Sequence, residues 1–384
     1  MKLNFTYFKI LKIIMGGLYM KVEKIAILGG GNGGITAAAD LTQKGFLVNL
    51  FESQKFCKDL MLIKKNNEIT IEYNGIKSVQ RINLITNNIE DAIKDCQVIM
   101  ITIPGIGIEY FAEILAPVVN EDQIILINSA PAMASVRFIK KSKEMGIEKK
   151  FKIGETNSLT YATRAYVNEA RVDISLKAGK VYLAAYPSCY TDEVFNACVQ
   201  IYDCFVKADN VIVVNLENPN PLVHPGPTLL NAGRIDYTKG DFWLYKEGIT
   251  EHTVNIVKAV ENEREDVAKA LGIQLEDTKQ GRINRGYFLD EDKPLYELFN
   301  TSPVFKHIKG PASVEGRYIV EDISTGLVFW SDLGKLLKVP TPNIDSIIVL
   351  GGTLIGRDFY KEGLTLDSIG FGHLKNKDDI LANI

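Results

Sequence analysis

The chain lacks several features that would assign it to a class at once. Its five cysteines, Cys57, Cys96, Cys189, Cys198 and Cys204, are scattered and odd in number, with no C-x-x-C pair. That excludes a zinc ribbon or a disulfide framework, suggests no metal, and fits a reducing cytoplasm. There is no excess of one charge: 44 basic against 47 acidic residues leave a net −3, so nothing argues for nucleic acid as a partner. No apolar run reaches the roughly 18 uninterrupted residues of a spanning helix. The apolar opening segment is broken by Lys2, Lys9 and Lys12, and no small-residue cleavage site follows it. No membrane partner is expected. Residues 1–19 read as an extension ahead of a natural start at Met20, with a short membrane-surface anchor as the weaker alternative. Repeats and low-complexity segments are absent too.

What is present is ordinary in bulk. The composition is 46% hydrophobic and 24% charged, typical of a soluble globular protein. A length of 384 residues suffices for two domains with real cores.

The informative segment is a short apolar strand, Ile25-Ala26-Ile27-Leu28, running into Gly29-Gly30-Gly31-Asn32-Gly33-Gly34. Gly29, Gly31 and Gly34 fit G-x-G-x-x-G. The alanine-rich stretch from Ile35 to Lys44 reads as a helix ending at Gly45, and a second strand, Phe46 to Phe51, ends in Glu52. In such a unit the first glycine permits a tight turn, the second admits a pyrophosphate to the backbone, and the third lets helix and strand pack closely. The helix N-terminus adds free N–H groups and partial positive charge. Glu52, 18 residues beyond Gly34, stands where a carboxylate accepts from a ribose hydroxyl. A glycine turn alone is weak; strand, helix, second strand and acid together indicate dinucleotide binding. The acid favours NAD over NADP, because a 2′-phosphate would meet its charge; nearby Lys55 leaves NADP open.

Strand and helix continue to alternate. Gln97 to Ile103, Glu121 to Asn128, Phe151 to Glu155, Lys180 to Tyr186 and Val211 to Val214 read as further strands. Near-continuous apolar strands separated by helices predict a parallel sheet covered on both faces. The loops at its carboxyl ends, carrying Pro104, Asn128 and Ser129, should face the cofactor. Ser158-Leu159-Thr160-Tyr161 is expected near the same cleft. Beyond about residue 216 the pattern turns helical. Glu251 to Leu271 is a long helix, with Val254, Val257, Val260 and Val267 as core positions and Gly272 closing it. Leu333 to Leu337 and Ile344 to Ile355 are further helical candidates. The expected division is 20–216 and 217–384.

Two segments carry candidate chemistry. Asn218-Pro219-Asn220-Pro221-Leu222-Val223-His224-Pro225-Gly226-Pro227 should hold His224 in stiff, irregular backbone beside the cofactor domain. Its imidazole would serve as a general acid/base; equally, the segment reads as a proline-rich linker with an incidental histidine. His252, His307 and His373 have no such setting and read as surface or helix-end residues. In Gly316-Arg317-Tyr318-Ile319-Val320-Glu321-Asp322, Arg317 could hold a carboxylate through its fork and Asp322 could orient an imidazole. Spacing alone favours an ordinary surface Arg–Asp pair.

These motifs, taken in order, resemble the octopine/nopaline (opine) dehydrogenase family. The resemblance spans most of residues 22–370. It rests on the glycine cluster, on the Asn-Pro…His-Pro segment through Leu230-Asn231-Ala232-Gly233, and on Arg317-Tyr318…Glu321-Asp322. It continues through Trp330-Ser331, Leu333-Gly334, Val339-Pro340-Thr341-Pro342 and Gly356-Arg357-Asp358. It implies an α/β fold, an N-terminal Rossmann-type parallel sheet with a C-terminal mainly α-helical domain and a cleft between them. It also implies a catalytic pair at His224 and Asp322 and a carboxylate-binding arginine at Arg317. The implied activity is reductive condensation of an amino acid with a 2-oxo acid such as pyruvate. Cofactor contacts are expected from Gly29, Gly30, Gly31, Asn32, Gly33, Gly34, Glu52 and Pro104. The competing readings are a simple 2-oxo acid or 2-hydroxy acid dehydrogenase and a non-catalytic NAD-binding sensor. Oligomeric state stays open, a homodimer included. Residues 1–19 fall outside the family pattern.

Overall fold

Residues alternate along the central strands between two apolar layers, and that alternation builds the first half of the molecule. The computed structural model describes residues 20–54, 60–129 and 131–384. The reading of residues 1–19, and Lys55 and Cys57, lie outside them. The strands are β1 (Lys24–Leu28), β2 (Leu47–Phe51), β3 (Glu68–Tyr73), β4 (Ile76–Arg81), β5 (Leu84–Thr86), β6 (Val98–Ile101), β7 (Ile124–Ile127), β8 (Lys152–Thr156), β9 (Tyr161–Tyr166), β10 (Arg171–Lys177), β11 (Val181–Tyr186) and β12 (Phe205–Lys207). Ile25 and Ile27 of β1, Val98 and Met100 of β6, and Ile124 and Leu126 of β7 enter one core. Ala26 and Leu28, Ile99 and Ile101, and Ile125 and Ile127 enter the other. Each large apolar side chain buried this way contributes about 1.5–3 kcal/mol.

The main sheet has eight strands in the order β12-β11-β8-β7-β6-β1-β2-β5. All neighbours run parallel except β8 and β11, which are antiparallel. The doubly covered, mainly parallel sheet is therefore as expected from the apolar runs.

A second sheet, β4-β3-β10-β9, was not anticipated. Its strands alternate apolar with charged residues and contain no long apolar run. Its central pairing joins Thr70–Tyr73 to Arg171–Ile174, so no local signal announces it. This sheet lies against the helix Asn32–Gln43: Ala165 N–H donates to the Asn32 side chain at 2.9 Å, and the Thr36 and Thr163 hydroxyls are 2.8 Å apart. Asp40 of that helix is buried, yet it accepts from Tyr161 at 2.7 Å and pairs with Lys44 and Lys177. Burial pushes its pKa up, but these partners outweigh it and hold the carboxyl below its ordinary value.

Val211 to Val214 is a helix, Val211–Leu216, and not a strand. The β-branched run suggested extension. The Asn210 side chain, however, accepts from the N–H groups of Ile212 and Val213 and caps a helical turn. From there on the chain is helical, as expected. Glu251–Leu271 is a 21-residue helix capped by Thr250 and ended by Gly272 at φ +77°, with all four named valines buried. Val328–Leu337 and Pro342–Ile355 contain the other two expected helices.

Glu155, at the end of β8, ties the sheet to the helix Val211–Leu216. It is fully buried; its carboxylate accepts from Asn215 at 2.9 Å and Ser135 N–H at 3.1 Å, while Asn215 accepts from Met133 N–H. Burial pushes its pKa up to about 7, from an ordinary 4.5. Between those values the folded chain keeps a proton that the unfolded chain has released. The stabilisation is complete below pH 4.5 and is lost as pH rises through 7, a swing of about 3 kcal/mol. Denaturant titrations should show stability falling from pH 5 to 7.5, and Glu155→Gln, neutral throughout, should flatten that fall. An unchanged slope in the variant would assign it to other groups.

Candidate active site

The glycine cluster forms the turn from β1 into the helix Asn32–Gln43. Gly29 sits at φ +111°, and a Cβ on Gly34 would fall 1.7 Å from the Gly29 carbonyl oxygen. Only glycine allows this helix to start so close to the strand. The other members divide their roles. Gly30 N–H donates to Glu52 at 2.6 Å. Gly33 lies under Leu159, and the Asn32 side chain is engaged by the second sheet. Gly31 has open space where a Cβ would stand. The helix N-terminus has neither a side-chain cap nor an acidic residue in its first turn. These residues fit a dinucleotide: open backbone and uncapped N–H groups for a pyrophosphate, and Glu52 at the end of β2 for a ribose.

Of the other strand-end residues, Pro104 is exposed and leads into a short turn at Gly105–Gly107. Asn128 is buried and donates to Thr160 at 3.0 Å, so its side chain secures the strand ends. Tyr161 is committed to Asp40.

His224 departs from expectation in its backbone. It is not in irregular structure but in a helical conformation, φ −90° and ψ −55°, between the short helices Asn220–Val223 and Pro225–Leu230. Its N–H donates to Asn220 O, and its carbonyl accepts from Thr228 N–H. Pro221 and Pro225 occupy first-turn positions, where a missing N–H breaks no helical bond. The prolines therefore start helices here.

The imidazole meets Asp322 from 98 positions away, with Nδ1 to Oδ2 at 2.7 Å. Both residues are buried. Asp322 opens a π-helical turn, Asp322–Leu327, which follows the helix Arg317–Glu321. Their approach depends on Gly326: a Cβ there would lie 2.2 Å from Pro221 Cγ, an overpacking that costs about 1–3 kcal/mol.

Two tyrosines complete the setting. The Tyr318 ring stacks on the imidazole at 3.9 Å between centroids. The Tyr245 hydroxyl lies 3.0 Å from Nε2. Tyr245 belongs to another π-helical turn, Leu244–Gly248, and its ring stacks on Phe305 at 4.6 Å. Burial pushes the Tyr245 pKa well above 10, so the hydroxyl remains a donor. An ionised Asp322 only accepts. With its proton on Nδ1, the imidazole donates to Asp322 and can accept from Tyr245 at Nε2.

Arg317 is more than half exposed, with Nε 3.5 Å from Glu321 Oε2. The other Glu321 oxygen accepts from Gly105 N–H at 2.9 Å. The structure thus gathers His224, Asp322 and Arg317 on elements facing the loop after β6. Sequence reading gave no role to Tyr245, Tyr318 or Glu321. Tyr318 and Glu321 stood inside a recognised motif; nothing around Tyr245 marked it. His252, His307 and His373 are exposed, as expected. A separate groove of about 340 Å³ includes neither His224 nor Asp322, and its cations Arg137, Lys140, Lys141 and Arg357 are already paired with carboxylates.

Comparison with known proteins agrees with this geometry. Residues 207–355 match the family described as NAD/NADP octopine/nopaline dehydrogenase, alpha-helical domain. Residues 24–135 match the N-terminus of NAD-dependent glycerol-3-phosphate dehydrogenase. An opine dehydrogenase of Arthrobacter sp. (strain 1C) is 32% identical over 349 residues, covering 91% of this chain and 95% of that protein. Octopine dehydrogenase of Pecten maximus is 23% identical, with 88% and 92% covered. A solved structure of octopine dehydrogenase with NADH and L-arginine shares the fold at a TM-score of 0.73 and 20% identity, covering 94% of this chain and 98% of that one. A D-mandelate dehydrogenase structure shares it less closely, at 0.59 and 16% identity, over 86% and 97% of the two chains. No helix among the described residues is long and apolar enough to cross a membrane. With one relative at 32% identity along nearly the whole of both chains, and a helical-domain match that includes His224 and Asp322, the chain belongs to the octopine/nopaline (opine) dehydrogenase family of NAD(P)-dependent oxidoreductases.

Proposed function

We propose that the chain is an opine dehydrogenase that condenses an amino acid with a 2-oxo acid and reduces the resulting imine. The observation that carries this is the buried Asp322–His224–Tyr245 chain of hydrogen bonds, next in sequence to Glu321, whose carboxylate bonds Gly105 of the loop after β6. The division into 20–216 and 217–384 is our reading of the two domains, although the helices begin earlier, at Val211–Leu216. Gly29, Gly30, Gly31, Asn32, Gly33 and Gly34 form the cofactor turn, with Glu52 and Pro104 at neighbouring strand ends. Glu52 makes NAD the preferred cofactor.

The amine of the amino acid attacks the keto carbon after His224 removes its extra proton. Asp322 stabilises the imidazolium so formed. That proton is returned to the hydroxyl of the adduct, which leaves as water and yields the protonated imine. When bound, NADH supplies the hydride that reduces the imine carbon. Arg317 holds a carboxylate so that the keto carbon is fixed in place. A simple keto acid reductase and an idle NAD binder are disfavoured, because relatives matched along most of their length carry opine-forming names. A reducing cytoplasm suits the described cysteines, all of them free thiols. A homodimer is the assembly favoured by the exposed stripe Val349, Leu350 and Leu354 on the helix Pro342–Ile355.

NADH oxidation should require pyruvate, or another 2-oxo acid, together with an amino acid; oxidation with the oxo acid alone would move the assignment to the simple reductase. His224→Ala should lose about 10²–10⁴-fold in kcat with NADH binding intact, and near wild-type turnover would refute its role. Tyr245→Phe keeps the ring and removes the donor to Nε2, so kcat should fall about 10- to 100-fold at unchanged NADH affinity. Unchanged kcat would leave that hydroxyl only a packing role. Arg317→Lys, a point charge in place of a fork, should raise KM for the 2-oxo acid. Weaker NADH binding at constant KM would instead assign the guanidinium to the cofactor's pyrophosphate.

A further inference from the structure

We propose that Glu321 is a positioning residue that holds the loop after β6 in register with the catalytic pair; this rests on the reaction proposed above. Glu321 is buried and immediately precedes Asp322. Its Oε1 accepts from Gly105 N–H at 2.9 Å, joining residues 216 positions apart. Its Oε2 lies 3.5 Å from Arg317 Nε. One carboxylate therefore touches the backbone of the cofactor-side loop and the guanidinium expected to hold an anion, while the next residue in the chain holds the imidazole.

The geometry leaves little slack. Gly105 follows Pro104 directly at the carboxyl end of β6, a strand paired on both sides within the main sheet. A Cβ on Gly105 would stand 3.1 Å from Ala132 Cβ, so the loop is also packed from behind. On the other side, the π-helical turn that begins at Asp322 is held by the contact between Gly326 and Pro221. A charge-assisted bond to a backbone N–H fixes direction as well as distance. Arg317 meets Glu321 with Nε 3.5 Å from Oε2, and its side chain is more than half exposed. The guanidinium therefore stands beside Glu321 and open to solvent, where an anionic ligand can reach it. Glu321 thus sets the distance between whatever lies over the loop and the group that exchanges protons with the substrate. That distance governs hydride transfer, in which errors of about 1 Å cost as much as a hundredfold.

The test compares Glu321→Ala, Glu321→Asp and Glu321→Gln with wild type, using the 2-oxo acid and amino acid that the wild type turns over. Readouts are kcat, KM, NADH affinity and the primary isotope effect with NADH deuterated at the transferred position. Glu321→Ala and Glu321→Asp, which withdraw the carboxylate from Gly105, should lower kcat about tenfold or more and raise the isotope effect as hydride transfer becomes limiting. NADH affinity and KM should move much less. Glu321→Gln, whose amide oxygen still accepts from Gly105, should recover most of the turnover. A purely structural role would lower thermal stability without changing the isotope effect. Should Glu321→Ala fail to fold, the aspartate variant carries the same expectation. Wild-type kcat and isotope effect in Glu321→Asp, or equal loss in Glu321→Gln and Glu321→Ala, would overturn the inference. Absence of any two-substrate turnover in wild type would instead overturn the proposed reaction.

Discussion

The site depends on one buried bond, between His224 Nδ1 and Asp322 Oδ2. An imidazole and a carboxylate withdrawn from water are each costly alone; together they offset the cost only if the geometry is tight. The surrounding packing supplies that geometry. Proline-started helices carry the histidine, a π-helical turn carries the aspartate, and a glycine without a side chain lets the two segments close on each other. Tyr318 covers one face of the ring and Tyr245 satisfies its far nitrogen. The ring is held in one orientation, with Asp322 at Nδ1 and Tyr245 at Nε2.

The two halves solve different problems. The glycine loop is mounted on a helix buried between the main sheet and the second sheet, with nine of its twelve residues buried. Binding a flexible dinucleotide there costs the protein little reorganisation. The His224–Asp322 pair stands on short helices and a widened turn, where single side chains are aimed. Glu155 ties the end of β8 to the helix Val211–Leu216, and Glu321 ties the loop beyond β6 to the helical half.

Much of this was legible in the residues, for identifiable reasons. The central strands are apolar on both faces and bounded by glycine or polar residues, so their positions follow from pattern alone. The glycine cluster announces itself because turn, helix start and acid must occur in one order. The long helix is marked at both ends, by Thr250 and Gly272. Three things were illegible. The second sheet pairs segments about a hundred residues apart with no apolar run. The valines after Asn210 pointed to extension while a side-chain cap decided for helix. Tyr245 reaches His224 from an isolated π-helical turn that no local pattern marks. His224 itself was undecided from its neighbours, and the nearby prolines misled about its backbone. Its partner lies 98 residues away, beyond any local rule.

The widened turn at Asp322 has a genetic corollary. A π-helical turn is an α-helix holding one residue too many. Asp322 begins such a turn, so its direction is set by residue count as well as residue type. Loss of one codon within 322–327, which lies between the helices Arg317–Glu321 and Val328–Leu337, would restore the common helical pitch and rotate one side against the other by about a quarter turn or slightly more. Every chemically important side chain would still be present, now facing elsewhere. In this fold, insertions and deletions of a single residue can redirect a catalytic group as decisively as its replacement.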